Sequence, residues 1–141
     1  MAAVTALTPA PLRGRDRELA VIGELLAYVR RGRGAVLLAE GRAGFGKTRL
    51  LTEAAAMAAR AGFRAGIGAV PPSDQVVPMG GLVAALFDGR EPLVEPGARH
   101  RLHYLPEQRY WLLEELESLL EETALASPVW LSGRCSDSVR G

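Results

Sequence analysis

Lys47, the only lysine among 17 Lys and Arg residues, lies in the run Gly41-Arg42-Ala43-Gly44-Phe45-Gly46-Lys47-Thr48. That run satisfies G-x-x-x-x-G-K-[ST] in full, and the spacing points to one chemistry. A polyphosphate is best held by backbone N–H groups, so the chain must curl around it, and glycines permit the curl. The loop must open into a helix whose first turn adds unpaired amides and a positive dipole end. The pattern assigns Lys47 to the β- and γ-phosphates, the Thr48 hydroxyl to Mg²⁺, and the Gly44 to Thr48 amides to phosphate oxygens. Arg42 and Phe45 are read as shaping the loop, and Arg49 follows as the last candidate binding residue. Glu40 reads as a solvated strand end. The expected ligands are ATP and Mg²⁺, and no residue is assigned a catalytic role.

Such a loop needs a buried strand before it and a helix after it. Ala35-Val36-Leu37-Leu38-Ala39 is a continuous apolar run between glycines, which suits a strand covered on both faces of a parallel sheet. A helix is expected from about Lys47 to Ala61, stopped by Gly62. Upstream, Leu19, Ile22, Leu26 and Val29 share one helix face, with Asp16 as the expected N-cap and Gly32 and Gly34 as the stop. Downstream, Phe63 to Val70 reads as a second strand weakened by Gly66 and Gly68. A short helix follows over residues 81–87. A long one begins with Pro106 as its first residue and reaches about Ala126, with Leu112, Leu113, Leu116, Leu119 and Leu120 as its apolar stripe. The fold class expected is α/β, an incomplete P-loop NTPase with a parallel sheet and flanking helices.

Efficient hydrolysis needs more than this loop, namely an acid on a second strand beside the metal and a water-orienting group. Val129-Trp130-Leu131 is the place to look, yet it runs into Ser132-Gly133-Arg134 and offers only Asp137, read as solvated. Asp74 lies in a Pro-rich stretch and has no better claim. His100 and His103 are read as solvated, the Arg99 to Arg109 stretch as an amphipathic surface, and Cys135 without a role.

Composition sets outer limits. There are 17 Lys and Arg against 16 Asp and Glu, so net charge gives no argument for a polyanionic partner. A single cysteine excludes an internal disulfide framework and suits a reducing compartment. No run of about 18 apolar residues occurs, so no membrane partner is expected. Residues 1–11 lack a basic leader and read as a disordered N-terminus. A cytoplasmic protein is the expectation.

Beyond the loop, the chain resembles the ATPase domain of the large ATP-binding LuxR-family regulators, which are AAA-like signal-transduction ATPases of the STAND class. The resemblance rests on Leu12-Arg13-Gly14-Arg15-Asp16-Arg17-Glu18-Leu19, Val36-Leu37-Leu38, the loop, and Gly46-Lys47-Thr48-Arg49-Leu50-Leu51 with Glu53. Phe63 onward through Leu82-Val83 and Leu86-Phe87 is also similar. It implies that residues 12–128 form the N-terminal part of a P-loop ATPase domain and that Arg15 helps frame the nucleotide. It also implies that residues 129–141 are an aberrant tail lacking the Walker B acids, and that hydrolysis is improbable. No DNA-binding module is present in the chain, so the partners expected are nucleotide and longer family members. In related ATPases a later strand separates those preceding the two Walker motifs, so the Val36 strand is expected to lack its neighbour. Codons allowed for Trp130 to Ser136, read one base later, can spell Gly-Cys-Leu-Asp-Asp-Val-Gln, the type of segment expected there. Two other readings stand beside this one: a small P-loop NTPase or kinase with unrecognised acids, and a non-catalytic interaction fragment.

Overall fold

The computed structural model describes residues 12–68, 79–89, 91–103 and 108–133. In chain order these form α1 (Asp16–Arg30), α2 (Lys47–Arg60), β1 (Arg64–Gly68) and α3 (Gly80–Phe87). A 3₁₀ turn (Pro96–Arg99), α4 (His100–His103), α5 (Arg109–Ala126) and β2 (Val129–Gly133) complete the order. The fold is mixed α/β, with a two-stranded parallel sheet and five α-helices among the described residues.

β1 and β2 pair from Arg64 opposite Val129 through to Gly68 opposite Gly133. The pairing is parallel, so a long crossover must join the strands, and the region containing α3, α4 and α5 provides it. Side chains alternate across the sheet. Trp130 enters a core with Ile22 and Leu26 of α1 and with Leu50, Ala54, Ala55 and Ala58 of α2. Its neighbours Val129 and Leu131 pack on the opposite core, built from Leu86, Phe87, Leu93, Val94, Leu102, Leu112, Leu116 and Leu119. The sheet is thus a thin middle layer between two helical layers, the arrangement an α/β sequence pattern dictates.

The α2 helix shows how closely sequence sets a boundary. Gly62 takes φ 88°. Its N–H bonds to Ala59 O at 3.0 Å and that of Phe63 to Ala58 O at 2.9 Å. These are the paired bonds of a glycine-terminated helix end, and they turn Phe63 into the core and the chain into β1.

Several expectations are corrected. Asp16 is the first residue of α1, not its cap; Arg15 holds the N-cap position, with no side-chain capping bond. Val129 to Leu131 do start a strand, and it extends two residues past that apolar run, to Gly133. In α5, Leu112, Leu116 and Leu119 are buried, whereas Leu113 faces solvent; Pro106 lies outside the described residues. The largest correction concerns Ala35 to Ala39, which lies outside both strands. Leu37 packs partly against the first core. Val36 is 95% and Leu38 71% exposed. A segment becomes a strand only by hydrogen bonding to a neighbouring strand, and neither β1 nor β2 pairs with it. A P-loop NTPase sheet is therefore not what the described residues form.

Candidate functional site

The candidate loop runs from Gly41 into α2. Gly44 and Gly46 take φ 85° and 77°, a left-handed backbone that costs glycine little and other residues considerably more. Between them, Phe45 donates its N–H to Arg42 O at 3.3 Å, closing a turn over 42–45. Gly46 is the N-cap of α2, and its carbonyl accepts the first helical bond, from Leu50 at 3.0 Å. The loop is curled, and the helix starts directly from it.

Lys47 does not extend into solvent. Its ammonium donates to the carbonyl oxygen of Gly41, so the side chain folds back across the loop it terminates. A β-carbon on Gly41 would meet Lys47 Cδ at 3.8 Å and Phe45 Cβ at 3.9 Å, ordinary contact distances. The lysine thus bridges the two ends of the motif, with its positive charge at the mouth of the curl. Thr48 is exposed in the first turn of α2, where its carbonyl accepts the Thr52 hydroxyl at 2.9 Å. Arg42, Ala43 and Arg49 are exposed, and the Phe45 ring is 61% exposed.

Arg15 reaches this loop from the start of α1. Its Nη2 donates to the Phe45 carbonyl, thirty residues along the chain, while Nη1 donates to Glu18 Oε1 at 2.8 Å. The Glu18 carboxyl is held below the usual carboxylate range, first by that hydrogen bond from Arg15 and next by one from its own backbone N–H, with charge attraction to Arg15 adding less. Glu18 is the member that sequence reasoning missed, although its position three residues after Arg15 on one helix was a readable signal.

The loop forms one wall of a cleft of about 2560 Å³. The exposed Val36 segment, the end of α5 and Val129 to Gly133 of β2 also line it. A small-molecule pocket is typically about 300–1,000 Å³, so the cleft exceeds the volume one nucleotide would fill. Where the end of β2 reaches this space it brings Ser132 and Gly133, neither of them an acid. Among the described residues no three His, Cys, Asp or Glu side chains gather as a metal site. Asp74, Cys135 and Asp137 lie outside those residues. No helix among them is long and apolar enough to cross a membrane.

A scan against protein-family models gives no match, and searches of curated proteins and of solved structures find none either.

Proposed function

We propose that residues 41–48 bind the triphosphate of ATP with Mg²⁺, as the nucleotide-binding part of a LuxR-type STAND regulator. The observation that carries this reading is the loop itself. Two left-handed glycines turn the chain directly into the first turn of α2, and the only lysine lies across the curl. A curled loop that opens into a helix, with a cation beside it, has the form a polyphosphate site requires. On binding, phosphate oxygens replace the Gly41 carbonyl as partners of the Lys47 ammonium, and the loop amides take up the remaining oxygens. Gly41, Arg42, Ala43 and Phe45 hold the curve, and Arg49 lies just beyond it on α2. Mg²⁺ bound with the nucleotide would be held by the Thr48 hydroxyl and would neutralise charge between the phosphates.

The reading is one of binding, because the sequence offers no Walker B acids after an apolar strand to complete a hydrolytic site. It includes an incomplete P-loop NTPase fold and a cytoplasmic setting, with longer members of the same family as partners.

Nucleotide titration of wild type against Lys47→Ala, with and without Mg²⁺, tests it. Loss of the lysine should weaken ATP by roughly ten- to a hundredfold, the range for a charge-assisted contact. Equal affinities would remove Lys47 from the site.

A further inference from the structure

We propose that Arg15 is a positioning residue of the nucleotide loop, acting through the Phe45 carbonyl and itself held in place by Glu18. This inference rests on the nucleotide-binding reading and deepens it.

A loop that turns its amides inward must turn carbonyls outward, and an outward carbonyl needs a donor of its own. Phe45 lies between the two left-handed glycines, at the tightest part of the curl. Its N–H is already committed to Arg42 O, which leaves its carbonyl as the handle on that peptide. Arg15 takes the handle with Nη2. Its other terminal nitrogen is engaged by Glu18 at 2.8 Å, so the guanidinium is anchored to α1 at one end and to the loop at the other. α1 in turn is fixed by Ile22 and Leu26 in the same core as Leu50 and Ala54 of α2. The loop is therefore braced between two helices that share one core. A planar guanidinium can hold two acceptors at a fixed angle, which an ammonium cannot reproduce. Both terminal nitrogens face protein acceptors, so the effect of Arg15 on a ligand passes through the shape of the loop.

The test compares wild type, Arg15→Ala, Arg15→Lys and Glu18→Gln, using Mg²⁺–ATP and inorganic tripolyphosphate as probes. Amide hydrogen exchange of the ligand-free chain is followed in parallel. A brace predicts that Arg15→Ala weakens ATP and tripolyphosphate by the same factor, about three- to tenfold. Exchange should quicken at residues 43–46 and stay unchanged in the middle of α2. Arg15→Lys should resemble Arg15→Ala, and Glu18→Gln should lie between them and wild type. A loss confined to ATP would mean that Arg15 touches the base or ribose, and would overturn the proposal. Unchanged exchange at 43–46 would overturn it too, whatever the ligands do. If Lys47→Ala leaves ATP affinity intact, the nucleotide reading fails, while the exchange measurement still decides whether Arg15 braces the loop.

Discussion

Gly68 of β1 lies directly against Gly81 of α3: a β-carbon on Gly68 would sit 1.9 Å from the Gly81 carbonyl oxygen and 2.9 Å from the Ala85 amide nitrogen. Gly66 is equally tight, with the Ala85 carbonyl oxygen at 2.1 Å from such a carbon. The two glycines that weaken β1 as an isolated strand are what lets a helix backbone rest on the sheet.

Substitution there should be costly because backbone, and not a flexible side chain, stands in the way. Gly68→Ala is expected to destabilise by about 1–3 kcal/mol, the range for an overpacked core. At Gly34 nothing lies within 4 Å of an added β-carbon. Gly34→Ala should therefore be neutral or slightly stabilising, by up to about 1 kcal/mol. Chemical denaturation of both variants checks the contrast, and a Gly68→Ala midpoint at the wild-type value would contradict the contact.

The loop was the most legible part of the chain because its chemistry fixes residue types at fixed spacing, and the helices were legible from their apolar faces. Gly62 announced the end of α2 because only a left-handed residue completes that helix end. Ala35 to Ala39 misled for a physical reason. Apolar continuity reports what a segment would bury, whereas strand formation depends on a neighbour that no local pattern encodes. The Arg15–Phe45 bond was invisible to periodicity for the same reason, being a contact between residues far apart in sequence. The resemblance named Arg15 as helping to frame the nucleotide; in the structure its guanidinium donates to the loop backbone at Phe45.

The segment entering and forming β2 carries local conflict. Ser127 Oγ, Trp130 Nε1 and Ser132 Oγ are buried without a hydrogen-bond partner among the described residues. Each such group loses water and gains nothing in return. Ser132→Ala removes one unpaired hydroxyl and should stabilise the chain by about 1 kcal/mol. A drop in melting temperature would show that the hydroxyl has a partner after all.

Val36 presents a different liability. An apolar side chain 95% exposed, on a segment outside the sheet, is a liability for association between molecules. Val36→Lys should reduce self-association in light scattering while shifting stability by less than about 0.5 kcal/mol, since little packing is lost. Leu37 is the internal contrast, because it packs against the core of Ile22 and Leu26. Leu37→Ala should destabilise without improving solubility. If Val36→Lys proved as damaging as Leu37→Ala, the exposed placement of Val36 would be wrong.

The Arg15–Glu18 pair should leave a signature in acid. Its guanidinium partner lowers the Glu18 carboxyl below the range it has in an unfolded chain. A carboxyl with a depressed folded-state value stabilises the fold fully above its unfolded value, and the benefit fades as pH falls through the lower, folded one. Both side chains are partly exposed, so the effect is small and screened by salt. Stability measured from neutral pH down through the carboxylate range should therefore fall more steeply for wild type than for Glu18→Gln. The two curves should converge once Glu18 is protonated, and the gap between them should shrink as salt is added. Parallel curves across the whole range would mean that the carboxylate contributes no more to the folded chain than an amide does.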